Sequence, residues 1–156
     1  MRRKDREITD IHEIKSIIND CKVIRLAIQS EDVPYIVPLN FGFSEDDGRF
    51  TFYCHSAREG RKLDLLRRDP RVGFEMDCRG RLDAADHPCG YGYFYASIIG
   101  TGTVYFPEGE EKLAALSALM HHMAGREDVF TEDQARSVTV LAIRVESLSA
   151  KSKKMI

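Results

Sequence analysis

The stretch "YGYFYASIIGTGTVYF", residues 91–106, constrains this chain more than any other. Its side chains alternate with a strand's period of two rather than a helix's 3.6. One face carries Tyr91, Tyr93, Tyr95, Ser97, Ile99, Thr101 and Thr103, and the other Gly92, Phe94, Ala96, Ile98, Gly100, Gly102 and Val104. Three glycines on one face suit a strand that coils sharply or lets another backbone approach, as in a small barrel.

Other segments supply partners for it. "CKVIRLAIQ" and "PYIVPLNFGF" read as strands divided by the polar "SEDV". Pro38 cannot donate a ladder hydrogen bond, so its part of the second strand is an edge, a bulge or a docking place. "SEDDGR" is a turn, residues 49–54 return from it, and "RVGFEMDC" and "VTVLAIRVE" complete about six strands. Three helices are expected first. Asp10 with Glu13 forms a capping box ahead of Ile11, Ile14, Ile17 and Ile18. Ser56 with Glu59 forms another, opening a helix that ends before Pro70. A third helix spans about 108–123, with Leu113, Leu116, Met120 and Met123 as its apolar stripe, and stops at Gly125. Thr131 with Gln134 caps a short fourth. Strands and helices do not alternate strictly, so a doubly wound parallel sheet does not fit. The pattern implies a mainly β (α+β) fold, a closed or partly closed antiparallel barrel with peripheral short helices. Residues 1–156 form one domain, with a charged N-terminal segment and a lysine-bearing tail.

Composition narrows function by exclusion. A formal charge of −2 gives no global basic field for nucleic acid. No window approaches the roughly 18 apolar residues that cross a bilayer, and "MRRKDREITD" lacks the apolar core of a secretory signal. Cys21, Cys54, Cys78 and Cys89 form no CxxC pair, and are expected as reduced thiols in a cytoplasmic protein. The histidines and cysteines have no zinc-motif spacing, so no metal site is expected. GxSxG, GxGxxG and GxxxxGK[ST] are all missing.

The positive signal is "HSAREGRK", residues 55–62. Basic residues usually complement the C-terminal end of a helix dipole. Arg61 and Lys62 instead stand at a helix start, beside backbone N–H groups without intrahelical partners. With Gly60 admitting close approach and His55 and Ser56 adding donors, the stretch suits a phosphate. The competing reading is a solvated face on which Arg58, Arg61, Lys62, Arg67 and Arg68 pair loosely with Glu59, Asp64 and Asp69. In "VPLNF", Asn40 either bonds locally or meets the polar edge of a flat heterocycle packed on Leu39 or Phe41.

Taken together, "PYIVPLNFGF", "FTFYCHSAREGRKLDLLRRDPRVGFEMD" and "YASIIGTGTV" resemble the nitroimidazole-resistance (Nim-type) flavoproteins, within the pyridoxamine 5′-phosphate oxidase-related flavin-binding split barrels. The likeness runs from about Arg6 to Lys151. It implies a six-stranded split β-barrel that forms a homodimer, with FMN (or FAD) in the subunit interface. Val37, Pro38, Leu39 and Asn40 would line the isoalloxazine ring, with His55 and Ser56 beside it. Arg61 and Lys62 would hold the phosphate, and Tyr95 and Ser97 would reach the cofactor from the partner subunit. Lys151 corresponds to the lysine of a Thr-Gly-Lys found in relatives, with Ala150 in place of the glycine. The implied activity is flavin-dependent oxidoreduction, from a nicotinamide donor to a small planar acceptor such as a nitro compound. His55 is the candidate proton donor, since an imidazole titrates near neutral pH. The alternatives are a non-catalytic flavin, deazaflavin or haem carrier on the same barrel, and a purely structural dimer.

Overall fold

The computed structural model describes residues 4–153. A single turn of 3₁₀ helix (Lys4–Arg6) leads into β1 (Glu7–Ile8) and helix α1 (Ile11–Asp20). Asp10 caps α1 as expected, its carboxylate accepting the Glu13 N–H at 2.8 Å, and Ile14, Ile17 and Ile18 are buried. The strands β2 (Ile24–Ile28), β3 (Tyr35–Leu39), β4 (Phe41–Asp46) and β5 (Arg49–Ser56) follow. Helix α2 (Arg61–Arg68) precedes β6 (Arg71–Asp83) and β7 (Gly92–Tyr105). Helices α3 (Gly109–Ala124) and α4 (Glu132–Ala135) then lead to β8 (Thr139–Lys153).

All pairings are antiparallel, and the sheet runs β3-β2-β6-β7-β8-β5-β4, with β1 on β8. The described residues hold eight strands rather than six. One of the extra two is β1. The other arises because "PYIVPLNFGF" divides at Asn40: β3 pairs with β2, whereas β4 pairs with β5. Those halves are the two ends of the sheet path, separated by one residue. The sheet therefore curls until its edges meet covalently at Asn40, without a ladder to close it. Pro38 sits opposite Arg25 on the terminal strand β3, the edge position its missing N–H requires. The β4–β5 turn is Asp47-Gly48 with φ of 48° and 77°, a tight hairpin matched to strand twist.

The long strand behaves as its alternation dictates. Ala96, Ile98, Gly100, Gly102 and Val104 are buried, while Ile99 and Thr101 lie outside. A Cβ on Gly100 would run into the Phe74 ring and the Ser147 carbonyl, so close backbone approach explains this glycine. The core beneath is aromatic at its centre. Phe52 meets Phe41 and Phe74 edge-on, at centroid distances of 5.6 and 5.3 Å.

Two helices differ from expectation. Helix α2 begins at Arg61, with Gly60 (φ 139°) at its N-cap and no side-chain cap. Ser56 ends β5 instead of capping, because its residue still pairs with Thr139 of β8. On α3 the buried residues are Ala115, Leu116, Leu119 and His122, so Leu116 alone of the expected stripe is fully inside. The helix lies on β4 where Gly42 lets the Leu119 backbone come down, and His122 turns inward to bond the Cys21 carbonyl at 2.8 Å. Gly125 terminates α3 in the left-handed region, and Thr131 and Gln134 form the full capping box of α4.

Candidate functional site

The residues singled out by sequence, Tyr95 and Ser97 excepted, gather at one corner, where the end of β5, the start of α2 and the β3–β4 junction meet. Ser56 is buried at 5% exposure and accepts a hydrogen bond from the Lys62 ammonium at 2.8 Å. The Arg61 guanidinium lies 4.8 Å from the centroid of the Tyr35 ring. Tyr35 was not anticipated, and nothing local in "PYIV" marks it. Only the folding of β3 against α2 puts its ring under the arginine. Within α2, Leu63 and Asp64 send their N–H groups to the Gly60 carbonyl. With no side-chain cap, the first turn offers its remaining N–H groups outward.

The charges on α2 divide. Arg67 pairs with Asp64 at 3.6 Å and Arg68 with Glu31 at 3.2 Å, which is the solvated-face reading for those two residues. Among the described ion pairs, Arg61 and Lys62 take no carboxylate. Arg58 and Glu59 are exposed in the turn before the helix. Two cations outside the described ion pairs, a buried hydroxyl and a helix start thus converge, an arrangement chemically suited to a phosphate monoester.

Beside it, the Asn40 amide donates to the Lys22 carbonyl at 2.9 Å and ties the β3–β4 corner to the exit of α1. The local-bond reading of Asn40 therefore holds for its nitrogen. Continuing the β4–β5 register one step past Phe41–Cys54 places Asn40 opposite His55, which is exposed. Val37 and Leu39 pack against the core, and Phe41 is wholly buried. A heterocycle consequently cannot stack on Phe41, which leaves the half-buried Leu39 of the two expected faces. What β3 presents outward is Ile36, 64% exposed, Pro38, and the free backbone edge of a terminal strand.

Tyr95 and Ser97 stand apart. They are half-buried on β7, opposite Lys153 and Lys151 of β8. Strand β7 is three ladder steps from β3, roughly 14 Å along the sheet at 4.7–4.9 Å per step. One chain does not bring them to the Arg61 corner.

No group of three or more histidine, cysteine, aspartate or glutamate side chains among the described residues could hold a metal ion. No helix among them is long and apolar enough to cross a membrane.

An open antiparallel sheet whose ends meet at a bent strand, with a basic helix start beside that bend, has the layout of a split barrel. Residues 10–152 match the pyridoxamine 5′-phosphate oxidase family, and the chain belongs to it. Its structure is similar to that of a candidate 5-nitroimidazole antibiotic resistance protein from Bacteroides thetaiotaomicron, at 30% identity and a TM-score of 0.79, covering 94% of this chain and 86% of that one. An FAD and heme binding protein from Mycobacterium smegmatis (15% identity, TM-score 0.81, 96% and 74% covered) has the same fold. So does the flavocytochrome Anf3 from Azotobacter vinelandii (16%, TM-score 0.78, 99% and 72% covered). A search of curated proteins gave no match.

Proposed function

We propose that this protein is a flavin-dependent oxidoreductase that binds FMN at the Arg61 corner and works as a homodimer. One observation carries the reading: Arg61 and Lys62, in no ion pair among the described residues, stand at an uncapped helix start beside the buried Ser56 hydroxyl. Lys62 and Arg61 would grip the phosphate, with Ser56 and the first-turn N–H groups completing its shell. The backbone edge of β3 around Val37, Pro38 and Leu39, with Asn40, would meet the polar rim of the isoalloxazine. The flavin supplies electron transfer, and the chain supplies position and charge. His55, opposite Asn40, would pass a proton to a small planar acceptor such as a nitro compound. A nicotinamide is the proposed electron donor.

FMN is favoured over FAD by the surface beyond the phosphate grip. A groove of about 430 Å³ there is lined by Glu31, Asp32 and Asp64 as well as Arg61 and Arg68. Glu31 and Asp64 already engage Arg68 and Arg67, and Asp32 adds another negative charge where a second phosphate would run. In such a homodimer, Tyr95 and Ser97 would approach the flavin from the second copy.

The deciding experiment is the absorbance spectrum of the purified protein after incubation with FMN, with mass spectrometry of what heat releases. Oxidised-flavin absorbance at one FMN per chain is expected, followed by turnover with NAD(P)H and a nitro acceptor. A Soret band instead would make the chain a haem carrier, and flavin without turnover a carrier of flavin. A colourless preparation that takes up no FMN would reject the assignment.

A further inference from the structure

Away from that corner, two cysteines converge on one backbone carbonyl where α1 ends and β6 bulges. Cys21 is the C-cap residue of α1, and its N–H bonds the Ile17 carbonyl at 3.1 Å. The Cys78 thiol donates to the same carbonyl oxygen at 3.7 Å. Cys21 and Cys78 thus converge on one carbonyl, close enough for each thiol to act electrostatically on the other. This meeting is built rather than incidental. Strand β6 changes register between Cys78 and Arg81, Arg79 takes a left-handed φ of 58°, and its guanidinium clamps Asp20 at 2.6 Å and Ser16 at 2.8 Å. The bulge thereby presses Cys78 onto the last turn of α1. Cys21 is buried at 1% exposure, whereas Cys78 is half-open.

We infer that Cys21 and Cys78 form a peroxide-driven disulfide that staples the exit of α1 to the β6 bulge. The Cys78 thiolate attacks hydrogen peroxide, giving a sulfenic acid and hydroxide. The Cys21 sulfur then displaces the sulfenic oxygen as water, closing the S–S bond. Two thiols and one peroxide become one disulfide and two waters, and the protein loses two hydrogens. The half-open sulfur meets the oxidant and the buried one resolves it. Burial and the Asp20 and Asp77 carboxylates hold the Cys78 thiol above its ordinary range, against the opposing pull of Arg79. Burial pushes up Cys21 as well. Little thiolate exists at neutral pH, so the reaction is slow there and accelerates with pH.

The test treats the full-length reduced protein with hydrogen peroxide and maps tryptic peptides without reduction. The expected product is peptide 16–22 linked to peptide 72–79, at a rate rising about tenfold per pH unit from 7 to 8. The oxidised protein should melt about 5 °C higher than the reduced one. Cys78→Ser should abolish both the link and the stabilisation, while Cys89→Ser, at an exposed cysteine, should keep both. If the Cys78 variant fails to fold, the wild-type map and the Cys89 variant still decide. Cys78 recovered as thiol or sulfinic acid without the link, a link to Cys89, or a linked protein that melts no higher would overturn the inference.

Discussion

At the residue scale, the proposed site depends on two cations that take no carboxylate among the described ion pairs. Arg61→Ala combined with Lys62→Ala should weaken FMN binding by two or more decades, since charge-assisted hydrogen bonds contribute about 1.5–3 kcal/mol each. Riboflavin, which lacks the phosphate, should lose little. Titration of both ligands by flavin fluorescence makes the comparison, and equal losses would reject the phosphate assignment. The exposed His55 makes a different demand. His55→Ala should retain FMN while turnover falls by roughly 10²–10⁴-fold, the usual loss for a general acid. Rates from pH 5 to 9 with the site kept full should also lose an imidazole's pH dependence. An unchanged profile and rate would leave His55 a residue that only ends the strand. Sequence alone could propose both residues because a basic pair at a helix start is chemically unusual. It could not show which arginines were spoken for, since Glu31, the partner of Arg68, lies far from it along the chain.

Elements were legible where the signal was local. The alternation of residues 92–105 and the caps at Asp10 and Thr131 rely on near neighbours alone. Ser56 and Glu59 show the opposite: a capping spacing was present, but sheet pairing with Thr139 kept Ser56 extended. Helix α3 likewise turned its face because β4 offered Gly42 as a landing place. Gly42→Ala should destabilise the protein by about 1–3 kcal/mol, because the new methyl meets helix backbone and not a side chain that can swing away. A fall in Tm of roughly 2–10 °C is the expected reading, and a neutral result would mean α3 shifts without cost. The same helix buries His122, packed 4.6 Å from the Phe41 ring centroid, with its pKa pushed below the usual imidazole value chiefly by desolvation and by the Lys22 and His121 charges. A histidine depressed in the folded state binds its proton more readily when unfolded. Stability should therefore be full above about pH 6.5 and decline as pH falls below it toward the lower folded value. His122→Gln should flatten that part of a urea-melt pH series, and an identical slope in both proteins would exclude His122 as its source.

At the scale of the whole molecule, exposed apolar side chains gather along β6 and β7. Leu82, Tyr91, Tyr93 and Ile99 are each more than half exposed on β6, at the edge of β7 and along β7 itself, and Tyr95 and Ser97 share the β7 side-chain alternation. A second copy would cover such a surface and bring Tyr95 and Ser97 to a flavin held at the Arg61 corner. Light scattering should give a dimer mass, and added FMN should raise its Tm, because a ligand shared across an interface binds only the assembled native state. A monomer carrying one flavin per chain would contradict the shared site.

Local patterning was enough to establish a mainly β chain with short helices, the long glycine-bearing strand and the basic helix start within residues 55–62. Those properties depend on side-chain alternation, caps and charge within a few residues, which the sequence displays directly. The division of "PYIVPLNFGF" into the two ends of one sheet, the seating of Tyr35 beneath Arg61 and the meeting of Cys21 with Cys78 depend on residues far apart in the chain. Their positions follow from how the sheet curls and where the β6 bulge falls, and the pairing of distant strands leaves no local mark to read.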